Sequence, residues 1–256
     1  INEFAMFLHF HSCSGVFLAD LGANLGKKIK AFKLNKIKLE QLWKWRNIAN
    51  SLIHSILSGF GAMINLLRTP ELRYELITAY TLFSWSTLSF SVGYFIYDFI
   101  DMAVHQRRPS TYELLIHHIL VIICFALAVI TKYYQGYALV ALLVEVNSIF
   151  LHIRQLFIIQ GWQKSYIIYK INSYFNLGTF IVFRLFNLCW MICWLVLNQS
   201  GLNVSKVTVI FTAFAQIFFL IHSMKLLKKI LVADGFVSRR NINKKLLRKS
   251  DSFISN

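Results

Sequence analysis

Long apolar runs, each sufficient to cross a lipid bilayer, alternate along this chain with short segments that hold most of its charge. About 20 apolar residues cross the hydrocarbon core as a helix. Backbone amides find no water there, so lipid-exposed backbone must be helical or closed into a barrel. Spans are expected at about 4–25, 47–67, 77–103, 113–131, 136–159, 166–197 and 204–230. The fold class is therefore all-α: a polytopic membrane helical bundle of about seven transmembrane helices. Composition agrees, since 57% of the residues are hydrophobic and only 15% charged, where a soluble domain carries roughly a quarter as charges.

The first run differs from the others. It holds His9, His11, Asp20 and Asn24, which suits a loosely attached or partly interfacial helix. Residues 1–26 have no basic segment followed by a small-residue cleavage site, so the run reads as a span rather than a signal peptide.

Local punctuation supports these limits. Both prolines, Pro70 and Pro109, fall at connections. Thr69-Pro70-Glu71 reads as an N-cap with proline at the first helical position. Ser110-Thr111-Tyr112-Glu113 reads as a capping box opening the fourth span. Gly26, Gly161 and Gly201 sit where helix C-caps belong. In the second span, Ser55-xxx-Gly59 and Ser58-xxx-Ala62 mark a face for close helix packing.

The net charge of +16 is distributed asymmetrically. Connections 26–46, 104–112 and 160–165 and the segment from Lys225 onward hold 8, 2, 1 and 9 Lys or Arg, which is 20 on one side. The other side has Arg68, Arg73, Lys132 and Lys206. By the positive-inside bias the N-terminus is outside and the C-terminus cytoplasmic. The tail from Ser238 to Asn256 carries six of these charges and suits anionic headgroups as partners. No basic patch lies on a soluble face, so nucleic-acid binding is not expected. Cys13, Cys124, Cys189 and Cys193 all lie in apolar runs, without disulfide or zinc spacing. No metal and no cofactor is implied.

An ionisable group inside the membrane costs about 2.5–3.5 kcal/mol on insertion scales, so each is a functional candidate. Asp98 and Asp101 share a face of the third span, flanked by Tyr94 and Tyr97. They either pair with Arg107 or Arg108 near the cytoplasmic end or face the interior. His117 and His118 are adjacent, point about 100° apart, and can serve as acid, base, nucleophile or ligand. Glu145, Ser148 and His152 line one face of the fifth span, with Asn147 and Arg154 on the next. Ser173, Asn176, Arg184 and Asn187 form a polar stripe on the sixth. Glu145 and Arg184 either form a register-fixing ion pair or belong to a site. His54, alone in the second span, is more simply an interhelical hydrogen bonder.

The ordered series Trp43-Lys44-Trp45-Arg46-Asn47, His54 to Gly59, Gly93 to Asp101, His117-His118, Leu143 to Asn147 with Arg154, and Asn176 with Phe183-Arg184-Leu185 resembles the TLC domain. The family is named for the TRAM, Lag1 and CLN8 proteins, and the series is most similar to TLC domain-containing proteins 1 and 2. The resemblance implies three regions. Residues 1–42 form a preceding helix and basic connection, 43–235 the TLC domain, and 236–256 a basic tail. It also implies six helices around an intramembrane cavity. The implied role is in phospholipid acyl-chain composition and membrane fluidity at the plasma membrane, with the endoplasmic reticulum as the alternative. Ceramide synthases, more distant members, continue their histidine motif to His-Asp-x-x-Asp. Here the matching stretch is Val144-Glu145-Val146-Asn147-Ser148. One carboxylate is kept as Glu and the second is missing, so ceramide synthesis is not expected.

Two functions follow as expectations. In the first, a phospholipid or fatty acyl chain sits in the bundle and His54, Asp98, Asp101, His117, His118, Glu145, Asn147, Arg154, Asn176 and Arg184 orient its polar end. In the second, His117 or His118 acts as base or acyl-accepting nucleophile, oriented by Asp98 or Glu145, in an acyl transfer with acyl-CoA as a candidate donor. A seven-span receptor is excluded by the missing Asp-Arg-Tyr and Asn-Pro-x-x-Tyr motifs. An iron-dependent desaturase is excluded because the eight histidines are scattered except for one pair.

Overall fold

The computed structural model describes residues 39–105, 109–198 and 205–237. The expected first span at 4–25, the basic connection up to residue 38, Arg107, Arg108, Gly201 and the tail from 238 lie outside the described residues. Helix α1 covers Leu39–Arg68 and the short α2 Glu71–Tyr74. The third and fourth are α3 (Leu82–His105) and α4 (Pro109–Thr131). An almost continuous stretch divides at Leu143 into α5 (Gln135–Leu142) and α6 (Val144–Ile159). Another holds α7 (Ile167–Thr179), a π-helical segment at Phe180–Phe186, and α8 (Asn187–Asn198). The last is α9 (Lys206–Ala233).

Five of these stretches are long and apolar enough to cross a membrane: Gln41–Arg68, Tyr112–Thr131, Gln135–Ile159, Ile167–Asn198 and Lys206–Ala233. The all-α membrane bundle is therefore present. Helix α3 has comparable length but carries Ser84, Thr87, Ser89, Ser91 and Asp98 on its buried surface, which lowers its hydropathy. It lies between α1 and α4 and completes the bundle.

Small residues set the closest approaches. Ser55, Ser58 and Ala62 are fully buried on α1, as their spacing suggests. A Cβ on Gly59 would stand 3.2 Å from the Val146 nitrogen, so α1 and α6 meet almost backbone to backbone there. A Cβ on Gly136 would run into the Leu72 carbonyl oxygen and stand 2.9 Å from Leu76 Cα, locking α5 under the α2 connection.

The helix ends match expectation in part. Gly161 takes φ +74°, and the Trp162 amide reaches back to the Phe157 carbonyl at 2.9 Å, a Schellman cap. No side-chain cap forms at Thr69-Pro70-Glu71; backbone bonds from Leu72 and Arg73 to Thr69 and Pro70 close that turn instead. Helix α4 begins at Pro109, so Ser110 falls inside the first turn rather than at an N-cap. Helix α1 starts at Leu39, well before the expected boundary at 47, because Trp43 and Asn47 on its first turns bond into α3.

A second tie joins the ends of α6, α7 and α9. Arg154 donates to both oxygens of Asp234 from Nε, at 3.0 and 2.9 Å, and from one terminal nitrogen at 2.5 Å. Tyr169 and Ser173 hydroxyls donate to the same carboxylate at 2.9 and 2.5 Å. The Asp234 side chain is 1% exposed. Burial alone would raise its pKa, but the Arg154 and Ser173 hydrogen bonds outweigh that and hold it below the usual carboxylate range.

Two predictions follow from this packing. Gly136→Ala is expected to cost more than about 2 kcal/mol, because backbone rather than a flexible side chain must yield; thermal unfolding in detergent micelles measures it. Asp234→Asn leaves Arg154 buried without its counter-charge and is expected to cost about 3–5 kcal/mol at neutral pH. In the native chain, Asp234's lowered folded pKa means its contribution is complete above the unfolded value of about 4 and is lost as pH falls through the folded value. Melting temperature should therefore drop below about pH 4 more steeply in the native chain than in Asp234→Asn.

Candidate functional site

The ionisable residues of the bundle separate into a closed network and an open one. The closed network ties α1, α3 and α4. His118 Nε2 lies 3.0 Å from Asp98 Oδ2, and each side chain is 7% exposed. His118 Nδ1 lies 2.8 Å from the Leu114 carbonyl, so both ring nitrogens face oxygen acceptors. The pair therefore shares two protons and is neutral as a unit, which suits a low-dielectric site. Asn47 Nδ2 donates to Asp98 Oδ1 at 2.6 Å and to Asp101 Oδ2 at 3.2 Å. Asp101 also accepts from Trp43 Nε1, at 3.1 Å to Oδ2. His105 stacks on Trp43 with centroids 5.2 Å apart and brings Nδ1 within 3.2 Å of Asp101. Above this lies His54, stacked on Tyr94 at 4.0 Å and edge-on to Phe95. Tyr94 donates to Ser51 at 2.7 Å.

The open network surrounds a cavity of about 120 Å³ between α3, α4, α5, α6, α8 and α9, room for about ten water-sized groups. Its walls are mainly apolar, including Phe95, Phe125, Leu142, Met191 and Phe219, and its charged residues are Glu145 and Arg184, with His117 beside them. His117 and His118 diverge as adjacent helical positions must: His118 turns into the closed network and His117 into the cavity wall. The His117 ring lies edge-on to Phe219 at 4.9 Å and 5.7 Å from the His222 ring, and its buried Nδ1 has no hydrogen-bond partner among the described residues.

Irregular backbone places both charges. The amide of Leu143 bonds to the Leu139 and Val140 carbonyls, and the Val146 amide bonds to Leu143, a tightened turn at the α5–α6 break. Glu145 follows at once, fixed by the Ser55 hydroxyl at 2.5 Å. Arg184 lies in the π segment, where the Asn187 amide reaches the Val182 carbonyl five residues back. Its Nε donates to Asn147 Oδ1 at 3.0 Å and one terminal nitrogen to Ser148 at 3.2 Å. Asn147 is itself anchored to the Asn176 carbonyl and side chain, both at 3.1 Å. Two of the five guanidinium N–H groups are thereby engaged, and the other terminal nitrogen has no acceptor among the described residues.

Several sequence expectations change. Glu145 and Arg184 line one cavity without forming an ion pair, each held by neutral partners instead. Arg154 does not join the cavity, because Asp234 claims it. Asp98 faces α1 and α4 and Asp101 faces α1, while Arg107 and Arg108 lie outside the described residues. The polar stripe on the sixth span is divided: Ser173 goes to Asp234, Arg184 to Asn147, and Asn187 to the Val140 carbonyl at 2.8 Å. The π turn widens the helix and resets its phase, which uniform spacing does not reveal. Trp43, Asn47, Ser55 and Asp234 are further site residues; Trp43, Asn47 and Ser55 stand in the quoted series, Ser55 there as a packing residue, while a post-helical Asp234 carries no sequence signal.

Comparison with known proteins agrees with this architecture. The sequence profile of the TLC domain matches residues 44–230. TLC domain-containing protein 2 of Danio rerio is 44% identical over 167 residues, covering 65% of this chain and 68% of that protein. TLC domain-containing protein 2 of Homo sapiens is 35% identical over 166 residues, covering 65% and 62%. TLC domain-containing protein 1 of Mus musculus is 37% identical over 143 residues, covering 56% and 58%. The chain thus spans between about half and two thirds of most of these relatives. With the all-α bundle and its intramembrane cavity in view, this chain belongs to the TLC-domain family.

Proposed function

We propose that this protein regulates phospholipid acyl-chain composition, and through it membrane fluidity, by holding a phospholipid or fatty acyl chain in the bundle. The carrying observation is Arg184, a buried guanidinium with an unused N–H fork at the head of an apolar cavity. A carboxylate, ester carbonyl or phosphate completes that fork, and the Phe- and Leu-lined walls take the chain. Family membership supports a lipid-related role in a membrane. The similarity to TLC domain-containing proteins 1 and 2 supports the plasma membrane, with the endoplasmic reticulum as alternative, and the basic count supports a cytoplasmic C-terminus.

The second reading, acyl transfer, has one observation in its favour: the unpartnered His117 Nδ1 beside Glu145 and Arg184. A neutral imidazole there would take a proton from an acceptor hydroxyl or amine as it attacks an acyl carbonyl held by Arg184, and return it to the leaving group. His118 is unsuited to that task, since both nitrogens are committed.

Lipid profiling of cells expressing variants tests both. Ala141→Phe, which fills the cavity, is expected to abolish the shift in phospholipid acyl composition caused by the native chain; an unchanged shift would refute acyl binding. Arg184→Gln should weaken retention of the lipid in purified protein by about tenfold or more, the worth of a charge-assisted hydrogen bond. His118→Ala strands Asp98 and should lower stability by about 3–5 kcal/mol. His117→Ala should leave the melting temperature near native. If His117→Ala also abolishes acyl transfer between purified donor and acceptor lipids, the protein is an enzyme; if remodelling persists, it is a binder.

A further inference from the structure

The cavity has a built end. On α4 its lining runs from His117 to Leu127, and from Arg184 the segment leading to Trp194 covers the same ten residues. At 1.5 Å per residue both give about 15 Å from the polar head to the far wall. That wall is Tyr137. Its hydroxyl donates to the Met191 carbonyl at 3.1 Å and accepts from Gln216 Nε2. Its ring packs on Trp194 with centroids 5.4 Å apart. The phenolic proton is committed to Met191, so the hydroxyl presents only a lone pair to Gln216, which fixes the amide orientation. Tyr137 is thus held by α8 and α9 together while standing on α5. It is 8% exposed and rigid, unlike a side chain that swings aside for a ligand.

Behind the wall lies a second void of about 20 Å³, lined by Ile77, Trp194, Leu195 and Val209. Tyr134, Tyr137, Thr208 and Thr212 border both spaces. The two voids are neighbours, with Tyr137 in both walls and packed on Trp194, which lines the second.

Resting on the acyl-binding reading above, we infer that Tyr137 and Trp194 form a length stop that sets the longest acyl chain the cavity accepts. The ligand's carboxyl or ester group meets Arg184, and its terminal methyl abuts the Tyr137 ring. The chemistry is shared by a free fatty acid and by the acyl arm of a lysophospholipid, and selection for length acts on either.

The test uses the full chain purified in detergent and offered an equimolar ladder of saturated fatty acids from caproic to behenic. A parallel arm offers lysophosphatidylcholines bearing the same chains. Retained species are read by native mass spectrometry. The native chain should show a sharp upper cut-off in length, in whichever arm is retained. Trp194→Ala, on the partly exposed side of the wall, should move that cut-off up by about two carbons or more, since the second void alone takes one or two water-sized groups. Ala138→Leu, adding bulk beside Tyr137, should move it down. Tyr137→Phe keeps the ring and should keep the cut-off while lowering the melting temperature. A native cut-off that neither Trp194→Ala nor Ala138→Leu shifts would overturn the length stop while leaving acyl binding intact. Retention of no acyl species by the native chain in either arm would overturn acyl binding and the length stop with it.

Discussion

Polar side chains within a bilayer have no water to fall back on, and the organisation of this bundle follows from how each one is satisfied. The His118–Asp98 pair is the central case. Alone, either group would be a strongly disfavoured charge at hydrocarbon depth; together they share two protons and carry no net charge. Asn47 closes the remaining carboxylate lone pair and extends the network to Asp101, Trp43 and His105, drawing α1, α3 and α4 into one unit. Apolar packing gives little discrimination between helix partners in lipid, so these directional contacts fix which helices are neighbours.

Against that background the groups that stay unsatisfied are informative. Arg184 keeps one terminal nitrogen free and His117 keeps Nδ1 unpartnered, and both belong to the cavity wall. Other buried atoms lack partners too, among them His54 Nε2, His152 Nδ1 and Asn176 Nδ2, but Arg184 and His117 are residues of the cavity lining, whereas the Asp234 carboxylate is already closed by four donor groups. The rigid Arg154–Asp234 clamp secures the end of α9, the least buried of the five spanning stretches, while its middle forms one wall of the cavity. Chamber and clamp are separate devices on the same helix.

Departures from ideal helix geometry are what bring the charges to the chamber. Straight helices through 135–159 and 167–198 would carry Glu145 and Arg184 on continuous stripes. The turn at Leu143 and the π segment at Phe180–Phe186 each shift the phase, so that Glu145 and Arg184 line the cavity while Asn147 and Ser148 hold the guanidinium from behind. The same shift frees Asn187 to cap the Val140 carbonyl on α5, close to the break it supports.

The amino-acid sequence determined the class of structure and the inventory of chemistry. Apolar run length against bilayer thickness demands spanning helices, and ionisable residues costly enough to be rare in lipid mark themselves out wherever they occur. Small residues on α1 announced its tight seam, and Gly161 its helix end, because those depend only on local geometry. Which polar groups pair was decided by tertiary structure. Asp98 meets a histidine on another helix, Arg154 goes to Asp234 rather than the cavity, and Glu145 to Ser55 rather than Arg184. Sequence spacing fixes a face, but a π turn or a helix break rotates that face, and only the packed bundle sets which partner then lies within hydrogen-bonding distance.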